Sequence, residues 1–235
     1  MFNPHARIER VDFGGGCSAW VVDDALADPE ALRRRAIDGR AQFAAAPFNA
    51  YPGLEWRMGD EVDAPLAEFF LRRLRGAMGG RRTQSMYSRL SIATLQPHEL
   101  RPLQRLCHRD RFGTAAGELV AACTLYLFHD ESLGGTSFYA PKQPLAETDA
   151  RIRHWNTLSN EAFTAEIGTE PGYLVESNAW FERLGVVPAR FNRAVFYDGS
   201  GFHSSHITQP GRLTADPAQG RLTLNGFFIC RRAAQ

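Results

Sequence analysis

Residues 119–139 read LVAACTLYLFHDESLGGTSFY, and this stretch is the strongest indication of the fold class. The nearly continuous apolar run from Leu119 to Phe128 is typical of a β-strand that is buried on both faces. Gly134 and Gly135 then predict a tight turn into a second short strand, Thr136 to Tyr139. The stretch therefore predicts two neighbouring strands in a β-rich interior.

Further short segments with the composition of β-strands recur along the chain, and clusters of Gly, Pro, Asp and Ser separate them. A series of this kind is typical of a sandwich or jelly roll. We therefore expect a mainly β fold with flanking helices (α+β) and a jelly-roll core. The additional predicted strands are Met86 to Leu95, Tyr173 to Val175, Ala179 to Leu184, Phe191 to Tyr197, Phe202 to Ile207 and Arg221 to Cys230.

The first third of the chain is predicted to be mixed and helical. Asp28-Pro29-Glu30 combines a capping residue, a proline at the first helical position and an acid in the first turn, so a helix should run to about Ile37. Asp63-Ala64-Pro65 should open a second helix, which Gly79-Gly80 ends. Its apolar stripe should pack on the strand core, through Leu66, Phe69, Phe70 and Leu74.

A third helix is expected within residues 150–167, inserted between strands. The length of 235 residues suits one domain. We expect residues 1–80 to form a mixed helical part that packs on a jelly-roll core of residues 84–230.

Composition excludes several classes of function. The net charge of +1, from 27 basic and 26 acidic residues, predicts no general attraction to nucleic acid or to an anionic membrane. None of the four cysteines forms a CxxC pair, which argues against a zinc knuckle or a thioredoxin-like site. No secretory signal or apolar run long enough to span a bilayer is visible, so we expect a cytoplasmic protein. The oligomeric state is left open.

The segment His108-Arg109-Asp110 carries the chemistry. Side chains alternate faces in an extended segment, so the His108 imidazole and the Asp110 carboxylate should point the same way. A histidine from a distant strand would complete the 2-His-1-carboxylate face of non-haem iron(II) oxygenases, which leaves other metal positions open. The distal candidates are His203 and His206, which lie three residues apart and should face opposite ways.

Three later segments supply context for this pair. Residues 124–139 resemble the strand, Gly-Gly turn and strand that follow His-x-Asp in prolyl-4-hydroxylase-like, iron(II)- and 2-oxoglutarate-dependent oxygenases. Residues 192–204 resemble the strand leading to their distal histidine, and Arg221-Leu222-Thr223 resembles their basic residue with Ser or Thr two positions later. The order of the elements is also the same. Within this superfamily, the chain resembles a bacterial group without an assigned substrate.

The resemblance implies a double-stranded β-helix that holds iron(II) on His108, Asp110 and His203. It implies that Arg221 and Thr223 bind the far carboxylate of 2-oxoglutarate, a role for which a guanidinium is well shaped. With O2 as co-substrate, the expected outcome is hydroxylation of an amino acid, a peptidyl residue or a small metabolite, with release of succinate and CO2. Asp110 stands where related halogenases carry a small residue, which argues against halogenation.

Several alternatives stay open. Arg212 could replace Arg221, because the interval from His203 to Arg221 is long and contains a loop, residues 208–220, that could cover substrate. The protein could also be a cupin-type metal enzyme that does not use 2-oxoglutarate, or a catalytically inactive jelly-roll binding protein. Further candidates to line the pocket are Tyr51, Trp56, Arg57, Arg89 and Trp180.

Overall fold

The computed structural model describes residues 2–46, 50–110 and 117–232. Its strands in chain order are β1 (Ile8–Gly14), β2 (Cys17–Val22), β3 (Ala44–Ala45), β4 (Gly53–Arg57), β5 (Gly80–Ala93), β6 (Glu118–Tyr126), β7 (Gly135–Pro141), β8 (Phe181–Val187), β9 (Ala194–Asp198), β10 (Phe202–His206) and β11 (Arg221–Arg232). Its α-helices are α1 (Pro29–Asp38), α2 (Asp60–Arg73), α3 (Leu145–Trp155) and α4 (Asn160–Ile167).

Two antiparallel sheets form the jelly-roll core, so the fold is mainly β with flanking helices, as predicted. The large sheet has the strand order β1-β2-β9-β6-β11-β5-β4-β3, and the small sheet has the order β10-β7-β8. Strand β6 lies between β9 and β11 and is buried along almost its whole length. This burial on both faces explains its unbroken apolar sequence.

The large sheet has two chemically different faces because side chains alternate along each strand. On β11, Leu222, Leu224 and Phe228 belong to an outer apolar core that also includes side chains of α1 and α2. The alternate residues Arg221, Thr223, Asn225 and Phe227 point to the inner face. There, Tyr126 and Tyr197 of the large sheet pack with Phe138 of the small sheet.

The two N-terminal helices lie on the outer face. The Asp28 carboxylate accepts a hydrogen bond of 2.9 Å from the Ala31 N–H, which confirms the predicted cap of α1. The predicted stripe of α2 is confirmed as core packing, and the Phe70 ring stacks on Phe228 with centroids 4.0 Å apart. Helix α2 begins at Asp60, three residues before the predicted start, and Pro65 lies inside it. The helix ends at Arg73, before Gly79.

The first 80 residues also contain two strand hairpins that we did not predict from the sequence. Strands β1 and β2 pair across Gly14-Gly15-Gly16, and all three glycines adopt positive φ. Strands β3 and β4 pair with each other, and β4 pairs with β5. Both hairpins extend the same sheet that contains β6 and β11. Val11 and Phe13, which alternate with the charged residue Asp12, are a weak signal for β1.

Two other predictions were wrong in detail. Residues 173–175 form no strand, because side chains satisfy this backbone: the Leu174 carbonyl accepts from Tyr139 Oη at 2.7 Å and from Ser204 Oγ at 3.2 Å. The helix expected within residues 150–167 is two helices, since Ser159 caps α4 by accepting from the Ala162 N–H. Among the described residues, no helix is both long and apolar enough to cross a bilayer.

Candidate metal centre

The His108–Asp110 segment lies beside β10, and one isolated antiparallel bridge joins His108 to His203. The N–H groups of His108 and His203 each donate to the other residue's carbonyl at 2.9 Å. The Asp110 N–H donates to the Gly199 carbonyl at 2.7 Å. The segment is therefore extended, which is the conformation that puts the His108 and Asp110 side chains on one side.

The fold brings the three predicted metal ligands together. His108 Nε2 lies 3.7 Å from Asp110 Oδ1, and His203 Nε2 lies 3.4 Å from Asp110 Oδ2. One nitrogen or oxygen from each of the three residues lies within 4.8 Å of the others. His203 Nδ1 lies 3.0 Å from the Gly201 carbonyl, to which it can donate as an N–H. That hydrogen bond leaves Nε2 with a lone pair directed at the carboxylate.

The electrostatics of the triad favour a bound cation. Burial lowers the pKa of His203 to about 4. Desolvation, and next the His203 ring, also lower the pKa of His108, whose side chain is 51% exposed. Burial raises the pKa of Asp110. Two neutral imidazoles with available lone pairs thus face a carboxylate for which burial without a cation is costly.

Two observations around Asp110 fit a metal ion. Its Oδ2 is buried and has no hydrogen-bond partner in the described chain, although buried acceptors are normally satisfied. The neighbouring Gly199 leaves room for that oxygen, since a Cβ there would lie 2.8 Å from it. An imidazole, imidazole and carboxylate donor set with further positions open is the set that non-haem iron(II) prefers.

Arg221 is a buried cation on the same inner face. The residue as a whole is only 2% exposed. Nε donates to the carbonyls of Leu133 and Gly134 at 3.1 and 3.3 Å, and Nη2 donates to Gly135 at 2.8 Å. The Gly-Gly turn predicted from the sequence therefore holds the guanidinium. A side chain at Gly134, which has φ +89, would collide with the His206 carbonyl.

No carboxylate forms an ion pair with Arg221 in the described part of the chain. Its other neighbours are aromatic faces, with the guanidinium carbon 5.7 Å from the Phe128 ring centroid and 6.0 Å from that of Tyr126. Buried charges are normally paired, because desolvation penalises an isolated one strongly. Arg221 therefore has the properties of a receptor for an anionic ligand.

A belt of hydroxyl and amide groups continues from Arg221 along β11. Asn225 Nδ2 donates to Ser91 Oγ at 2.9 Å and to Thr223 Oγ1 at 3.2 Å. Thr223 is 1% exposed and shares the face of Arg221. Burial raises the pKa of Tyr51 to about 12, and Arg221 and Thr223 are among its neighbours. Tyr51, expected only as a lining residue, is thus part of this belt.

Arg89 lies on the inner face of β5, opposite Asn225 of β11 in the strand pairing. Its Nε lies 2.8 Å from Glu55 Oε1, and its Nη1 lies 3.3 Å from Glu55 Oε2. Its positive charge lowers the pKa values of His108 and Asp110, although burial has the larger effect on both. Arg89 was predicted to line the pocket, but Glu55 was missed because the hairpin that contains β4 was not predicted.

Three residues that the sequence kept open lie away from the triad. His206 points to the other face of β10, where Nδ1 is 2.7 Å from Ser137 Oγ. Arg212 is half exposed and pairs with Asp130 at 2.6 Å. Trp180 packs edge-on against Trp155 of α3, with centroids 5.2 Å apart. Of the two histidine candidates, His203 faces the inner side of the large sheet. Of the two arginine candidates, Arg221 does.

A family model described as "Family of unknown function (DUF6445)" matches residues 4–228. No curated protein matches the chain at a significant level.

Three solved structures are similar to the chain at low identity. A non-heme alpha ketoglutarate dependent carbocyclase from nogalamycin biosynthesis, SnoK, is 16% identical, with 90% of this chain and 79% of that chain covered and a TM-score of 0.48. HygX from Streptomyces hygroscopicus with nickel and 2-oxoglutarate bound is 12% identical, with coverages of 90% and 82% and a TM-score of 0.46. A Pseudomonas putida prolyl-4-hydroxylase is 14% identical, with coverages of 92% and 92% and a TM-score of 0.45.

Proposed function

The chain belongs to the family of unknown function DUF6445, and we propose that it is an iron(II)- and 2-oxoglutarate-dependent oxygenase. One observation carries the proposal. The inner face of the large sheet holds both a 2-His-1-carboxylate triad and a buried arginine that lacks an acidic partner in the described chain. Each feature is unfavourable in isolation, and iron(II) with a dicarboxylate co-substrate would satisfy both.

In this proposal the metal is held by His108, Asp110 and His203. Iron(II) bound there would supply dioxygen activation coupled to the oxidative decarboxylation of 2-oxoglutarate to succinate and CO2. The protein's part is to keep both imidazoles neutral and to keep the Asp110 carboxylate in place through the backbone of Gly199. The exposed edge of His108 marks the side from which substrate would approach.

Arg221 is the proposed anchor for the far carboxylate of 2-oxoglutarate. Its bonds to the Gly-Gly turn use Nε and Nη2, which leaves Nη1 for the ligand. The turn fixes the guanidinium plane before the ligand arrives, so little freedom is lost on binding. The hydroxyl of Thr223 lies on the same face and would add a hydrogen bond.

The substrate proposal follows the resemblance: an amino acid, a peptidyl residue or a small metabolite that is hydroxylated at a C–H bond. Asp110 in the third ligand position supports hydroxylation rather than halogenation. The two rival functions explain fewer observations. A cupin-type enzyme without 2-oxoglutarate would leave Arg221 without an anion, and a binding protein without metal would leave Asp110 Oδ2 unsatisfied.

The test is an anaerobic titration of the protein with iron(II) and 2-oxoglutarate, followed by visible spectroscopy. We expect the weak charge-transfer band of an iron–oxoglutarate chelate. The band should be absent in His108→Ala, because one of three metal ligands is missing. It should persist in the control His206→Ala, because His206 faces away from the triad.

Arg221→Gln tests the binding of 2-oxoglutarate separately from the binding of iron(II). It should bind iron(II) normally but require at least about 30-fold more 2-oxoglutarate, since losing one member of a buried charge pair costs about 2–5 kcal/mol. Bound iron without the band in the wild type would reject the chelate and favour the cupin-type enzyme. Absence of bound iron would favour the binding protein.

A further inference from the structure

The helical insert between β7 and β8 is connected to the metal-binding segment through a buried ion pair. Arg109, which lies between His108 and Asp110, donates from Nη2 to Oδ1 of Asp149 on α3. We propose that α3 positions the metal ligands through this Arg109–Asp149 pair. The inference rests on the proposed metal site and assigns a role to a helix that contributes none of the three ligands.

The pairing register places Arg109 where it can act on both ligand strands. His108 and His203 face each other across an antiparallel bridge, so Arg109 stands opposite Phe202. The Arg109 guanidinium carbon lies 4.8 Å from the Phe202 ring centroid. The ligands thus occupy one face of the two-strand pair, and Arg109 with Phe202 occupies the other. Holding Arg109 on Phe202 holds the two ligand-bearing backbones against each other.

The ion pair is sheltered, which makes it a stiff connection. The Arg109 and Asp149 side chains are 8% and 18% exposed. Charges in such surroundings attract each other more strongly than charges at the surface, and a guanidinium has a directional fork of donors. Breaking the pair would leave Arg109 buried without its anion, so its side chain would leave Phe202 for solvent.

Helix α3 is itself anchored in the core, so it can serve as a fixed reference. Trp155 is 1% exposed and packs in a cluster that includes Leu106, Cys107 and Phe202. Its Nε1 donates to Glu166 Oε1 of α4 at 2.9 Å. The residues directly before His108 and directly before His203 therefore belong to the same cluster as Trp155 of α3. This arrangement favours positioning of the ligand segment rather than surface attachment of the helix alone.

The experiment is calorimetric titration of the full chain with Mn²⁺, a stand-in for iron(II) that resists oxidation. We expect Asp149→Asn, which removes the charge and keeps the shape, to weaken Mn²⁺ binding about tenfold, as changes behind metal ligands commonly do. Asp149→Glu should restore most of the affinity, because a carboxylate is again available to Arg109.

Arg151→Gln is the matched control. Arg151 lies on the same helix and pairs with Glu166 at 3.1 Å, with 45% of its side chain exposed. Its removal disturbs α3 without touching Arg109, so Mn²⁺ affinity should equal that of the wild type. Arg109→Lys tests the other side of the pair and should also bind Mn²⁺ more weakly, because an ammonium lacks the planar fork.

The outcomes are separable. If the wild type binds Mn²⁺ and either Asp149→Asn or Arg109→Lys binds it equally well, α3 does not position the ligands, while the metal site stands. A loss of affinity in Arg151→Gln equal to that in Asp149→Asn would reduce the role of the pair to general stability of α3. If the wild type binds no Mn²⁺, the proposed function itself fails.

Discussion

At the scale of single residues, the candidate centre depends on how one carboxylate is seated. Asp110 receives its position from a backbone hydrogen bond to Gly199, and its Oδ2 occupies space that any side chain at residue 199 would take. An ideal Cβ at Gly199 would lie 2.8 Å from Oδ2 and 3.0 Å from the Asp110 Cβ. Such contacts are closer than packed atoms tolerate, so either the carboxylate or the loop must move.

We therefore expect Gly199→Ala to lose metal affinity by about tenfold or more, because outer residues that orient a ligand have effects of this size. Its effect on stability should be modest, about 1–3 kcal/mol, as in other overpacked sites. Titration with Mn²⁺ measures the first quantity and urea unfolding the second. Gly211→Ala is the control, since nothing lies within 4 Å of a Cβ at that position. Unchanged Mn²⁺ affinity in Gly199→Ala would show that Asp110 has room to shift.

At the scale of secondary-structure elements, the large sheet separates stability from chemistry. Helix α2 covers the outer face, where Phe70 stacks on Phe228. The inner face of the same strand β11 holds Arg221 and Thr223. Because neighbouring residues of a strand point to opposite faces, substitutions on one face should leave the other largely intact.

Phe70→Ala tests this separation. Removing a fully buried phenylalanine should lower the free energy of unfolding by about 3–5 kcal/mol, through lost burial and a residual cavity. The Mn²⁺ affinity of the folded protein should stay at the wild-type value. Leu71→Ala, at an exposed position of the same helix, should change the free energy of unfolding by no more than about 0.5 kcal/mol. Reduced affinity in folded Phe70→Ala would show that the faces are coupled.

At the scale of the whole molecule, His206 in the small sheet makes the free energy of unfolding depend on pH. Burial, and next the charge of Arg183, lower the pKa of His206 below its ordinary value of about 6.5. As the pH falls through 6.5, the unfolded chain binds a proton that the folded protein still excludes. Unfolding is therefore favoured increasingly as the pH drops toward the folded-state pKa.

We expect the urea midpoint of the wild type to fall between pH 7.5 and 5.5. The fall should be smaller in His206→Gln, which has no imidazole to protonate and keeps a polar group near Ser137. Comparing the wild type with His206→Gln separates the contribution of His206 to the pH dependence from that of the buried histidines of the triad. If the urea midpoint fell equally with pH in both proteins, His206 would have its ordinary pKa in the folded protein.

Much of the local structure could be predicted from the sequence because short-range rules govern it. The apolar run that forms β6 and the Asp28 cap of α1 depend only on neighbouring residues. The same holds for His108 and Asp110 on one side of an extended segment. The hairpin β3–β4 was not predicted because β3 has only two residues. For the same reason, Glu55 was not predicted as the partner of Arg89.

What only the tertiary structure decided are the contacts between distant segments. The sequence determined that His203 and His206 face opposite ways, but the pairing of β10 with β7 and with the His108 segment decided which of them meets Asp110. The same is true of Arg109 and Asp149, which are 40 residues apart. Local patterns specify side-chain periodicity and helix ends. Strand order and register arise from the packing of the whole chain, so only the folded molecule brings the ligands, the buried arginine and α3 into their relations.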